Sequence, residues 1–80
     1  MLRSYDLHQK EVVNISNAER LGFIEDVDID LETGHIMNII VPKHRIFFLR
    51  RDDYIIPWKD IVLIGKDLVL VDYSVLSVEN

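Results

Sequence analysis

The chain has 80 residues, 49% of them hydrophobic, and its 14 acidic and nine basic side chains give a formal net charge of −5. This length allows one domain, and the absence of cysteine excludes disulfides, thiolate metal sites and thiol chemistry. The acidic balance disfavours general nucleic-acid binding because phosphate repels it. No apolar run approaches the roughly 20 residues that cross a bilayer. With no signal-peptide pattern at the N-terminus, we expect a cytoplasmic protein without a membrane span.

The N-terminal half predicts strands with one polar and one apolar side. Residues 11–15 are rich in branched side chains and form the first predicted strand. In residues 21–31 apolar and polar positions alternate, and this period of two turns the apolar set inward. That set is Leu21, Phe23, Val27, Ile29 and Leu31. Ile24 and Glu25 interrupt the alternation, which predicts a bulge or a bend at a barrel corner.

The C-terminal half alternates between short strands and turns. A tight hairpin with Gly34 in a left-handed conformation precedes the first of these strands, and a short helical turn follows Pro57. The predicted strands are residues 35–41, 54–56, 62–64 and 68–71. Several short strands at regular spacing are typical of sandwiches and barrels. We therefore predict an all-β fold, a small barrel of about six strands over residues 1–72, with a C-terminal tail at residues 73–80.

This order of elements resembles the PRC-barrel domain from about residue 5 to residue 71. The matching segments are Tyr5-Asp6-Leu7, Lys10-Glu11-Val12-Val13-Asn14, Leu21-Gly22, Asp26-Val27-Asp28, Thr33-Gly34-His35-Ile36, Ile56-Pro57-Trp58-Lys59-Asp60-Ile61 and Ile64-Gly65-Lys66-Asp67-Leu68-Val69-Leu70-Val71. The Ile-Pro-Trp element and the final segment look closest to the YlmC/YmxH group of sporulation-associated proteins. The resemblance implies a six-stranded barrel without an established activity, in a family whose members act through protein contacts.

Four acidic residues on the polar side of the second predicted strand form a distinct cluster. They are Asp26, Asp28, Asp30 and Glu32. Carboxylates in a D-x-D-x-D pattern are typical of calcium loops, but Leu31 and Met37 stand where such a loop has its glycine and its final glutamate. Neighbours on one face of a strand also lie about 7 Å apart, which hinders sharing of a buried cation. We expect a solvated face, with a docking surface for a basic partner as the alternative, and no metal site.

The segment between the third and fourth predicted strands, residues 43–53, carries the strongest signal for an interaction. We call residues 45–51 the basic arm. They are Arg45, Ile46, Phe47, Phe48, Leu49, Arg50 and Arg51. Adjacent residues on a strand face opposite ways, so Phe47 and Phe48 cannot both enter one core. We expect the arm to mediate self-association. The alternatives are packing on its own barrel, or docking to another protein, a membrane surface or RNA.

Catalytic and ligand-binding patterns are not evident in the sequence. The serines lack a G-x-S-x-G setting, and the histidines match no common metal-ligand spacing. Trp58 beside Pro57 could line a pocket, although a core or rim anchor is the commoner role. A six-stranded barrel of this size fills with side chains, so we predict no enzyme activity and no cofactor. The predicted function is a non-catalytic interaction or assembly module that forms a homodimer or higher homo-oligomer and binds an unidentified protein partner. The alternatives are a ribosome- or RNA-associated module and a ligand- or metal-sensing barrel.

Overall fold

The computed structural model describes residues 2–43 and 53–74, which form seven short strands, one short helix and one 3-10 turn. The helix is α1 (Ser4–His8), and a 3-10 turn, Trp58–Asp60, follows the fifth strand. The strands are β1 (Glu11–Asn14), β2 (Glu19–Phe23), β3 (Asp26–Ile29), β4 (Ile36–Pro42), β5 (Asp53–Pro57), β6 (Ile61–Ile64) and β7 (Leu68–Val71). The all-β prediction and the helical turn after Pro57 are confirmed.

The strands form two sheets that the chain enters in succession. The four-stranded sheet has the order β2-β1-β7-β6, and the three-stranded sheet has the order β3-β4-β5. Neighbouring strands are antiparallel except β1 and β7, which run parallel with Val12 opposite Val69. The chain crosses between the sheets at residues 24–25 and again through the 3-10 turn. These two crossings place the sheets on opposite sides of one core.

The first crossing divides the second predicted strand in two, which explains why seven strands replace the expected six. Ile24 is buried at the corner, and the Glu25 amide donates to the carbonyl oxygen of Ile40 over 2.8 Å. The predicted bend at Ile24 and Glu25 is therefore confirmed. Because the corner ends one sheet and begins the other, β2 and β3 need not share a single inward side.

The predicted inward set of this region is wrong in part. Leu21 is buried and Val27 packs against the core, whereas Phe23, Ile29 and Leu31 are 52%, 53% and 94% exposed. The cause in β2 is a bulge, since Gly22 and Arg20 pair with the consecutive residues Val12 and Val13 and leave Leu21 without a partner on β1. The bulge turns Leu21 inward and Phe23 outward.

The core consists mainly of β-branched side chains from both sheets. Its buried hydrophobic members are Leu7, Val12, Leu21, Ile24, Ile39, Val41, Ile56, Val69 and Val71. Leu7 comes from α1, a helix that was not predicted from the sequence. Through Leu7, α1 packs against the core. The α1 residue His8 holds the corner as well, because its Nδ1 atom donates to the carbonyl oxygen of Ile24 over 2.6 Å. Each fully buried branched side chain contributes about 1.5–3 kcal/mol.

Two glycines have positive φ where the chain turns or approaches another strand. Gly34 has φ +76°, and its amide donates to the Asp30 carbonyl oxygen over 2.7 Å, which closes the turn between β3 and β4 and confirms the predicted left-handed glycine. Gly22 has φ +126°, and a Cβ atom at this position would lie 3.4 Å from Cγ1 of Val41. The bulged strand therefore needs glycine at Gly22 for its backbone conformation, while the added Cβ atom would only reach contact distance from β4.

Candidate interaction surfaces

The outward side of the four-stranded sheet is largely apolar. Val12 and Val69 point into the core, so their neighbours Val13, Leu68 and Leu70 point outward. Leu63 lies opposite Leu70 on the edge strand β6. We call the following residues the apolar outer face: Val13, Phe23, Val62, Leu63, Leu68 and Leu70. A single ion pair crosses this face among the described residues, with Arg20 Nε 3.7 Å from Glu11 Oε1.

A shallow depression lies on the apolar outer face beside the β6–β7 hairpin. Its volume is about 250 Å³, and its walls are Leu63, Leu68, Leu70 and the hairpin residues Gly65, Lys66 and Asp67. Leu63 is 55% and Leu68 is 42% exposed. A depression of this size and composition suits one or two apolar side chains from another protein surface rather than a polar substrate.

Apolar side chains are distributed unusually between the core and the surface. Within residues 2–43 and 53–74, nine hydrophobic side chains are buried and eleven large hydrophobic ones are exposed. Single exposed apolar residues are normal, but contiguous apolar patches mark interaction sites. Four of the eleven, namely Phe23, Val62, Leu63 and Leu68, belong to the apolar outer face. Ile29, Met37 and Ile55 are exposed on the three-stranded sheet, so contiguity and not number distinguishes the apolar outer face. Its residues Val13, Leu70 and Leu63 lie side by side across β1, β7 and β6.

The three-stranded sheet carries two residues of the predicted acidic cluster on its outward side. Asp26 lies opposite Ile40, and Asp28 lies opposite Asn38, whose Nδ2 atom donates to Asp28 Oδ2 over 3.1 Å. Asp30 and Glu32 belong to the following turn instead, where the Glu32 amide donates to Asp30 Oδ1 over 2.9 Å. The structure thus places Asp26 and Asp28 on one sheet face and separates Asp30 and Glu32 from it.

The basic arm lies outside the described residues, so its role stays a prediction. Its members are Arg45, Ile46, Phe47, Phe48, Leu49, Arg50 and Arg51. The described residues on either side of this segment are Lys43, which directly follows β4, and Asp53, which begins β5. The ammonium of Lys43 lies over the ring of Tyr54, 5.0 Å from its centroid. The positive charge of Lys43 is therefore engaged in a cation–π contact within the described part of the barrel.

A cleft at this end of the barrel joins Lys43 to the residues that follow β7. It measures about 550 Å³, and its lining includes Lys43, Tyr54, Tyr73 and Glu19. The two tyrosine rings meet edge to face, with centroids 6.1 Å apart and planes at 90°. Burial raises the pKa of Tyr54 above its usual value, and the nearby Glu19 carboxylate and Tyr73 raise this pKa further.

Polar groups around the cleft form hydrogen bonds with one another. Asn17 Nδ2 donates to Glu19 Oε1 over 3.2 Å, and the Glu19 amide donates to Asn17 Oδ1 over 3.0 Å. With Lys43 held on Tyr54, the cleft combines opposite charges that are already engaged within the chain. These contacts connect the turn after β1, strand β5 and the segment that follows β7. We call this region the joint.

Asn14 is the buried centre of this joint, a role that was not predicted from the sequence. It is fully buried, and its Nδ2 atom donates to the Tyr73 carbonyl oxygen over 2.7 Å. Its Oδ1 atom accepts from the Tyr73 amide at 3.1 Å and from the Ser16 hydroxyl at 3.2 Å. The available signal was the period of two, which places Asn14 on the same inward side as Val12.

Trp58 packs against the core as a partly buried anchor, in line with the commoner role expected for it. It also lines a second depression of about 320 Å³, together with Ile36, Met37, Asn38, Pro57 and Lys59. Trp58 thus packs near the start of β4, at the end of that strand away from Lys43, and the adjoining depression is mostly apolar.

The described part of the chain shows no cluster of three histidine or acidic side chains that could hold a metal ion. Within the same residues, no helix is long and apolar enough to cross a membrane. These findings concern only residues 2–43 and 53–74.

Comparison with known proteins identifies the family. The PRC-barrel domain family matches residues 1–76, and the chain therefore belongs to the PRC-barrel domain proteins. It is 42% identical over 77 residues to "Probable sporulation protein YlmC" of Bacillus subtilis (strain 168), which covers 92% of this chain and 95% of the relative. It is 35% identical over 75 residues to "Uncharacterized protein YmxH" of the same organism, covering 89% of this chain and 88% of the relative. An uncharacterized protein of Clostridium acetobutylicum is 38% identical over 72 residues, covering 88% of this chain and 83% of the relative.

Proposed function

We propose that this PRC-barrel protein is a non-catalytic assembly module that forms homodimers or higher homo-oligomers and docks other proteins. The observation that carries the proposal is the contiguous row of outward apolar side chains across the four-stranded sheet, formed by Val13, Leu70 and Leu63. The domain is small, and chains of this length commonly gain stability by association. Burying part of the apolar outer face against a second copy would remove that part from water.

A symmetric contact suits the apolar outer face. In a two-fold dimer the same patch is used by both copies, so each buried side chain counts twice. Leu63 and Leu68 are each about half exposed, and complete burial of a leucine is worth about 1.5–3 kcal/mol. A few such residues give a gain comparable with the cost of association, about 4–15 kcal/mol. We therefore expect a dimer whose population depends on protein concentration.

The basic arm and the acidic residues of β3 offer a second, polar contact within the same assembly. Asp26 and Asp28 lie on an outward sheet face beside Ile40, and the arm combines arginines with Phe47 and Phe48. Their opposite charges support docking of the arm of one copy near the acidic residues of another. A Phe47→Ser/Phe48→Ser variant that keeps both its oligomeric mass and its stability would argue against a role of the arm in assembly.

The process served by the module is proposed from its relatives. One of them is named a probable sporulation protein, and on that basis we propose a sporulation-associated role for this chain. The proposed cytoplasmic location comes from the sequence analysis. The name says nothing about mechanism, so the assembly proposal is argued only from the surfaces of this chain.

The test is molar mass by light scattering after size-exclusion chromatography, over a wide range of concentrations. The chain weighs 9.4 kDa, and we expect its apparent mass to rise toward twice this value. Leu63→Lys should weaken association at least tenfold. Leu31→Lys is the matched control, because Leu31 is 94% exposed in the turn after β3 and should leave the mass unchanged. A native monomer at every concentration would refute the proposal.

A further inference from the structure

The edge strands of the two sheets differ in how they are protected against pairing with another chain. Natural proteins protect exposed edges with charges and prolines. Three of the four edges have such residues. These are Glu19 and Arg20 on β2, Asp26 and Asp28 on β3, and Asp53 and Pro57 on β5. The fourth edge strand, β6, consists of Ile61, Val62, Leu63 and Ile64, and contains neither a charge nor a proline, although it is interrupted by a bulge at Val62.

We propose that β6 pairs antiparallel with β6 of a second copy across a two-fold axis. This inference rests on the proposed assembly function and specifies the contact that creates it. The pairing joins two four-stranded sheets into one continuous sheet of eight. The pairing partly covers Val62 and Leu63 at the rim of the apolar outer face, and the rest of that face becomes contiguous across the joined sheet.

A second copy is the occupant that fits this edge. Pairing β6 with β2, β3 or β5 of another molecule would place a charged residue or a proline against an uncharged apolar strand. Among the described edges, only β6 matches β6. Antiparallel pairing also brings Asp60, just before β6, to the end where Lys66 of the second copy follows its strand, whereas parallel pairing would align like charges.

The shape of β6 favours a contact in which side chains contribute most. The register shifts between Ile61 and Leu63, so Val62 bulges and has no partner on β7. Val62 is 57% and Leu63 is 55% exposed. The depression beside Leu63, Leu68 and Leu70 lies next to this edge and accepts an apolar side chain of the second copy. Because the bulge shortens the regular edge, the paired segment is residues 62–64.

Cysteine cross-linking tests the contact directly, since the chain has no cysteine of its own. Directly opposed residues of an antiparallel pair have Cα atoms about 4.5–5.5 Å apart, within the range that a disulfide spans. We would oxidise the single variants Val62→Cys and Leu63→Cys at a concentration where the native chain is dimeric. Arg20→Cys on the β2 edge is the matched control, because the Arg20 side chain is 77% exposed. At least one β6 variant should form covalent dimer ten times faster than the control, and dilution should abolish the difference.

The outcomes separate the edge contact from assembly itself. Hydrogen exchange of the β6 amides should also slow as the protein concentration rises, because pairing protects the edge. A native dimer whose β6 variants cross-link no faster than Arg20→Cys would overturn the β6 pairing and leave the assembly proposal standing. A native chain that stays monomeric at every concentration would overturn both.

Discussion

The Asn14 side chain provides the sharpest test of how the fold is held together. Asn14 ends β1 in the core, and it joins the turn after β1 to the backbone that follows β7. Its amide group makes one donated and one accepted bond with the backbone of Tyr73, 2.7 and 3.1 Å long. Replacement by alanine would leave the Tyr73 carbonyl and amide without these partners, in an environment that water reaches only partly.

The size of the effect follows from those two backbone groups. An unsatisfied buried donor or acceptor costs about 1–3 kcal/mol. Both bonds are partly buried, so the lower part of this range applies to each, and we expect Asn14→Ala to lose about 2–4 kcal/mol of unfolding free energy. For a chain of this size the total is about 4–12 kcal/mol, and the loss corresponds to a fall in Tm of roughly 10–25 °C.

Urea denaturation at one fixed, low protein concentration would measure this loss without a contribution from association. Asn38→Ala is the control: the Asn38 bond to Asp28 is exposed, and its removal should cost no more than about 0.5 kcal/mol. Asn14→Asp separates hydrogen bonding from volume, because its carboxylate would face the Tyr73 carbonyl. That variant should regain stability as pH falls and the acid becomes a donor. A loss below about 0.5 kcal/mol for Asn14→Ala would refute the argument.

Three further predictions concern the core, a turn and pH. Ile56→Ala should cost about 2–5 kcal/mol in urea melts, whereas Ile55→Ala should cost about 0.5 kcal/mol or less, because Ile56 is fully buried and its neighbour is 54% exposed. Gly22→Ala should lose about 1–3 kcal/mol and more than Gly34→Ala, because φ +126° at Gly22 lies farther from the left-handed region open to L residues than φ +76° at Gly34; equal losses would contradict this assignment of backbone strain. Burial raises the pKa of Tyr54 above that of the unfolded chain, so this residue favours folding below pH 10 and stability should fall as pH rises above it. Tyr54→Phe should reduce that fall in melts above pH 10, and an unchanged slope would contradict it.

The strand positions could be predicted from the sequence because their ends coincide with local signals. Pro42, Pro57, Gly34 and Gly65 act within a few residues, and the strands that they bound appeared within about two residues of their predicted limits. The bend at Ile24 and Glu25 was predictable for the same reason, since a broken alternation is visible in the sequence.

The side on which a residue lies was less predictable because it depends on pairing. In β2 the direction of Phe23 is set by its partner Glu11 on β1, and the bulge at Leu21 depends on the register with Val12 and Val13. No local pattern encodes that register. Alternation predicts which residues share a face only between bulges, and β2, β3 and β6 each take part in a pair with a register shift.

The candidate surfaces follow from the same physics. The sequence predicted strands at residues 62–64 and 68–71, but a continuous apolar run does not show which of its side chains, such as Leu63, Leu68 and Leu70, face outward. Their exposure arises from the position of β6 at an edge and from the parallel neighbour of β7, which fixes which side of the sheet faces the core. An apolar residue that a strand cannot bury internally remains available to another chain. The proposed assembly would use these outward apolar side chains, with β6 as the proposed strand through which one copy continues into the next.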